Sequence, residues 1–195
     1  YHLYNRGVEK RPIFMNAQDY GVFLSYLKTY LLPKEKVKLQ KVIVDPVSSV
    51  RERAEAIKYL RLNNFSDILH LVSFCLMPNH FHFLFYQTDA DVIDRFMNSF
   101  CTRYSMYFNK RYKRVGPLFQ GIYKAVNVTT EEQLLHLTRY IHRNPTTKGL
   151  VFGGYSYSSY ATYLGLQKLA WVHPESVLSF FGKSHLLSYK SFVED

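Results

Sequence analysis

Read in order, the 195 residues give β-α-(insertion)-β-β-α-β-α. That order predicts an α+β, ferredoxin-like sandwich: an antiparallel sheet with helices packed on one face, plus a helical insertion and a C-terminal extension. Three observations carry the prediction. Two apolar runs flank the tight Met77-Pro78-Asn79 connection; a long helical periodicity lies on either side of that pair; and the chain opens with a strand-like segment. The length leaves no room for two large domains. We therefore expect one domain over residues 1–150, with an insertion at about 34–66, followed by an extension over 151–195 that ends in a small helical tail around Pro174 to Phe181.

Tyr1-His2-Leu3-Tyr4-Asn5-Arg6-Gly7 reads as a short strand closed by a glycine turn. Asn16 is placed to cap a helix, with Tyr20, Phe23, Leu24, Leu27 and Leu31 at helical spacing and Pro33 as its stop. From Lys34 to about Ser66 the sequence turns charged and predicts an excursion with one short helix of its own. Ile68 to Leu76 is an almost unbroken apolar run, as in a strand buried on both faces, and His80 to Tyr86 pairs with it as a hairpin. Asp91 to Tyr112 predicts a long helix with Val92, Phe96, Phe100, Tyr104 and Tyr107 or Phe108 inward. Gly116-Pro117 breaks it, and Leu118 to Asn127 reads as the next strand. Thr130 and Gln133 have capping-box spacing for a last helix, with Leu134, Leu137 and Ile141 inward and Pro145 as its stop.

Composition narrows the function. Hydrophobic residues make up 47% and charged residues 21%, which excludes a disordered tail, and no apolar run reaches the roughly 18 residues needed to span a bilayer. Two cysteines are too few for a disulfide scaffold, so a cytoplasmic, reducing compartment is expected. A start at Tyr1 without Met points to a missing initiator end. Lys and Arg number 25 against 15 acidic residues, a formal charge of +10, which favours a polyanionic partner. The 17% aromatic content offers stacking surfaces for bases, and equally a Tyr/Phe-rich core.

Residues 79–86 read Asn-His-Phe-His-Phe-Leu-Phe-Tyr. Strand side chains alternate, so Phe81, Phe83 and Phe85 take one face and His80 and His82 the other, roughly 6.6–6.8 Å apart. Phenylalanines choose the core, which leaves two imidazoles converging on one surface, a donor type that suits divalent transition metals. A metal needs a third ligand. Tyr140 and Asn144 share a face of the last helix, about a quarter turn from its apolar stripe. The residues alone leave the roles of these two open: a half-buried packing tyrosine and a helix-end asparagine before Pro145 fit as well.

The segment Met77-Pro78-Asn79-His80-Phe81-His82 resembles the His-hydrophobic-His motif of single-tyrosine HUH transposases, in particular the REP-associated tyrosine transposases. Arg139-Tyr140-Ile141-His142-Arg143-Asn144-Pro145 resembles that group's second hallmark, a nucleophilic tyrosine four residues before an Asn-Pro. The opening Tyr-His-x-x-Asn-Arg-Gly and the stretch Gly116 to Lys124 are also similar to family segments. The resemblance covers most of residues 1–165, apart from the insertion after Pro33.

It implies that His80, His82 and Asn144 bind a divalent metal, Mg2+ or Mn2+, and that Tyr140 attacks a DNA phosphate to leave a covalent 5′-phosphotyrosine. A free phenol has a pKa near 10 and needs activation for that attack, for which a Lewis acid on the phosphate is suited. The implied partner is single-stranded DNA folded into a hairpin, with the protein acting as a monomer or a homodimer. No acidic residue occurs between Asp94 and Glu131. Arg103, Lys110, Arg111, Lys113, Arg114 and Lys124 lie in that interval and are the candidate DNA contacts, with a solvated helix end as the alternative for Lys110 to Arg114. Among rivals, a histidine-triad hydrolase is opposed by Leu84 at the third histidine position. A replication initiator or relaxase would share the cleavage chemistry, and a non-catalytic nucleic-acid-binding module would share the sheet.

Overall fold

The computed structural model describes residues 1–149, 154–182 and 188–195. The boundary expected at 150/151 lies outside the described residues. Four strands, β1 (His2–Arg6), β2 (Leu69–Met77), β3 (His80–Gln87) and β4 (Lys124–Val126), form one antiparallel sheet in the order β2-β3-β1-β4. The crossover helices α1 (Ala17–Leu31) and α4 (Val92–Arg111) give the ferredoxin-like β-α-β-β-α-β arrangement. Leu3 pairs with Phe83, and Tyr4 with both His82 and Lys124, so the register aligns His2, Tyr4, His80, His82 and Lys124 on one face.

Phe81, Phe83 and Phe85 are at most 1% exposed and pack against α1 and α4. Phe23 meets Phe100 edge-to-face at 4.6 Å, a geometry that places positive ring edges on negative ring faces. Each such buried phenylalanine contributes about 1.5–3 kcal/mol, which is why the alternation decides the strand's orientation. Asn16 caps α1 by accepting from the backbone N–H of Gln18 and Asp19.

The helix α5 (Glu131–Arg143) covers the opposite face together with α6 (Tyr160–Tyr163), α7 (Glu175–Leu178) and α8 (Tyr189–Glu194). Thr130 caps α5 through Gln133 N–H, but the Gln133 side chain accepts from Thr129 rather than from the cap itself. Ile141 is the fully buried member of the expected stripe; Leu134 and Leu137 are half-buried. His142 is buried too, between Tyr189 Oη at 2.6 Å from Nδ1 and Ser159 Oγ at 2.7 Å from Nε2. These bonds, with Arg143 donating to the Val193 carbonyl, fasten the extension to the helix.

Three expectations need correction. Helices cover both faces of the sheet, not one, because Val72, Cys75 and Leu84 give the face opposite α1 and α4 an apolar patch of its own, on which α5 to α8 pack. The insertion holds two helices, α2 (Lys36–Val44) and α3 (Val50–Arg61), not one. Ser49 and Glu52 close a capping box on α3, whereas α2 buries no residue, so its lysine-rich start carried no amphipathic signal. The strand expected over Leu118 to Asn127 shrinks to three residues. Leu118 and Phe119 are buried in a loop instead, and Gly121 at φ 72° turns the chain before β4. Among the described residues no helix is long and apolar enough to cross a membrane.

Candidate active site

β1 ends, the β2–β3 hairpin turns and β4 begins at one end of the sheet, and α5 finishes there as well. The alternation of β3 and the length of α5 together bring the four sequence-predicted residues into one place. His80 and His82 have ring centroids 5.1 Å apart at 87°. Asn144 Oδ1 lies 3.2 Å from His80 Nε2, and the Tyr140 ring stands 5.4 Å from the His82 ring, edge to face. Asn144 is 5% exposed and His82 6%, while Tyr140 is 51% exposed. The amide is thus held in the protein and the phenol is presented to solvent.

Hydrogen bonds fix how His80 can act. Asn79 Nδ2 donates to the Lys10 carbonyl at 3.0 Å, which turns Asn79 Oδ1 toward His80 Nδ1 at 2.7 Å. A neutral His80 therefore carries its proton on Nδ1, and its Nε2 lone pair faces the Asn144 amide oxygen. Two acceptors set against each other are what a cation bridges. His82 Nδ1 is 2.9 Å from His2 Nε2, and the two rings stack at 5.1 Å. A proton on His82 Nδ1, given to His2, leaves the remaining His82 nitrogen as a donor for a metal. Burial, then the neighbouring His2 and His80, holds the His82 pKa down to about 3, and burial holds His2 down to about 4. Both are neutral near pH 7, the form that ligates.

The donor set of two neutral imidazoles and one amide oxygen fits a divalent ion that keeps open positions for water or phosphate. It supplies no fixed negative charge. Among the described residues no group of three or more His, Cys, Asp or Glu side chains is disposed to hold an ion; at this site the third candidate donor is the Asn144 amide.

A cleft of about 740 Å³ opens beside His80, with Arg6, Lys10 and Lys124 among its walls and Tyr4, Asn79 and Gln120 between them. Of the six basic residues singled out by sequence, Lys124 is on this face. Lys110 lies in the last turn of α4, Lys113 and Arg114 follow its end, and Arg114 Nη1 bonds Asn109 Oδ1 at 3.0 Å. Arg111 sits 3.6 Å from the buried carboxylate of Asp19. Arg103 lies across the sheet from the histidines, its guanidinium 3.8 Å above the Tyr26 ring; the structure does not bring it to the site. His2, Arg6, Lys10 and Asn79 are site residues that the sequence pattern leaves unmarked. The signal for His2 was there in the alternation His2-Leu3-Tyr4, which puts it opposite the core-facing Leu3.

A family model described as "Transposase IS200 like" matches residues 34–144, more than half of the chain. The match takes in β3 and α5 and ends on Asn144. It also includes the α2–α3 segment, which the sequence resemblance had set aside, and leaves β1 and α1 outside. No curated protein matches. A solved structure described as a REP-associated tyrosine transposase bound to a REP hairpin is similar over 88% of this chain and 90% of that chain, at 12% identity and a TM-score of 0.44.

Proposed function

The chain belongs to the IS200-like transposase family, and from that premise we propose that it cuts and rejoins single-stranded hairpin DNA with Tyr140 as its nucleophile. The observation that carries this reading is the meeting of Tyr140 and Asn144 with His80 and His82 on one sheet face, from segments separated by more than 50 residues.

Tyr140 Oη forms a bond to the phosphorus, the P–O3′ bond breaks, and the chain is left as a 5′-phosphotyrosine. The phenol proton goes to solvent and the departing 3′ oxygen takes one up. Attack by another 3′-hydroxyl reverses the step, so the stored phosphodiester energy suffices and no nucleotide cofactor is consumed. His80, His82 and Asn144 would hold Mg2+ or Mn2+, which when bound supplies Lewis-acid polarisation of the phosphate. His2 and Asn79 act through the ligands: each engages the far nitrogen of one imidazole and so sets its tautomer and ring angle. Arg6, Lys10 and Lys124 offer positive charge to the backbone beside the cut, where contact is strong at low salt and blind to sequence.

Incubation with end-labelled hairpin oligonucleotides and Mn2+ tests the proposal. An SDS-resistant protein–DNA adduct is expected from the wild-type chain and none from Tyr140→Phe. An adduct that persists in Tyr140→Phe would remove Tyr140 as nucleophile, and full cleavage by His80→Ala would defeat the ligand assignment.

A further inference from the structure

The same sheet face carries a second cleft, of about 660 Å³, at the other end of β3 and α5. We propose that this cleft takes one unpaired, amino-bearing base of the DNA strand whose backbone lies at the His80 end, an inference that rests on the function proposed above.

Its floor is apolar, made by Val72, Leu84, Val128 and Leu134. Its wall is aromatic. Tyr86 continues the alternation His80, His82, Leu84, so it stands on the same face, and it is 60% exposed. His70 pairs with Tyr86 across the strands, with ring centroids 6.1 Å apart at 25°, and His173 meets His70 edge-on at 5.1 Å. An open ring face above an apolar floor is the surface on which unpaired bases stack. Burial and the neighbouring His173 lower the His70 pKa, so at pH 7 its imidazole offers one N–H and one lone pair.

Charge separates the two clefts. Arg6, Lys10 and Lys124 line the first. Among the described residues lining the second there is no Lys or Arg, and Glu131 and Glu175 stand in its wall. Carboxylates repel phosphate and accept hydrogen bonds from exocyclic amino groups, so the wall suits adenine, cytosine or guanine. The reach is short. His82 to Tyr86 is four strand residues, about 13 Å, and Leu134 to Tyr140 is six helical residues, about 9 Å. The base therefore belongs to a nucleotide only a few positions from the phosphate that Tyr140 addresses.

A 2-aminopurine scan tests this. In the Tyr140→Phe background, which holds DNA without cutting it, hairpin oligonucleotides carry one 2-aminopurine stepped along the unpaired flank. One position should lose fluorescence on binding, and that quenching should vanish in Tyr86→Ala and in His70→Ala. An abasic site there should weaken binding roughly 5- to 150-fold in the intact cleft and have little effect in Tyr86→Ala. Urea midpoints of the variants establish that they are folded. Quenching at no position, or quenching indifferent to both substitutions, would overturn the proposal. The adduct assay separates the two readings: adduct without a quenched position removes the base site alone, whereas quenching without adduct keeps the base site and removes Tyr140 chemistry.

Discussion

Replacing Asn79 by Ala should weaken divalent metal binding without touching a ligand. In the structure Asn79 Oδ1 is 2.7 Å from His80 Nδ1 and is aimed there by its own bond to the Lys10 carbonyl. Alanine removes the acceptor that holds the His80 proton on Nδ1. The ring can then place its proton on Nε2 and donate to Asn144 Oδ1 at 3.2 Å, a hydrogen bond that competes directly with the metal. Loss of such an outer partner costs about 10- to 100-fold in metal affinity, or about 1.4–2.8 kcal/mol. Titrating the protein with Mn2+ and following the EPR signal of the free aqueous ion reads this directly. His80→Ala provides the reference for loss of a whole ligand. If Asn79→Ala bound Mn2+ as tightly as wild type while His80→Ala did not, the tautomer argument would be wrong.

His142 is buried, its two ring nitrogens meet the Tyr189 and Ser159 hydroxyls, and its pKa is lowered by burial to about 3. The unfolded chain takes up the proton near pH 6.5 and the native one does not, so this group's stabilisation is complete above 6.5 and is lost as pH falls toward 3. Between pH 7 and 5 it removes about 2 kcal/mol, and urea unfolding of His142→Gln should show a pH loss smaller by that amount; an equal loss refutes it. Phe83→Ala deletes a ring with no exposure from the centre of the sheet and should cost about 3–5 kcal/mol in the same experiment. For DNA, Lys124→Ala should lower the slope of log affinity against log salt by about 1, while Arg103→Ala should leave it unchanged; the reverse pattern would move the DNA to the α1–α4 side.

Much of this site was legible because strand alternation is a rigid rule. Three phenylalanines at alternate positions of β3 fix where His80 and His82 point, and helix period does the same for Tyr140 and Asn144. What pairing brings together across distance was not legible. His2 meets His82 only because β1 lies beside β3 in a given register, and no local pattern encodes that register. Arg103 shows the converse: it belongs to the same basic stretch as Lys124, yet the fold sets its guanidinium over Tyr26 on the other side of the sheet. The α2 helix escaped notice because a helix that buries nothing has no apolar period to read.

The constellation draws on segments far apart in the sequence. His2 comes from the first strand, His80 and His82 from the middle hairpin, Tyr140 and Asn144 from the last long helix, and Ser159 and Tyr189 grip that helix from further on. During synthesis the amino-terminal strands emerge well before those late residues. A half-made chain can hence assemble its phenylalanine layer while lacking the phenol altogether. On the function proposed above, competence to break a strand would come only once α5 is made, so nascent or truncated products that stop short of α5 would be silent toward DNA.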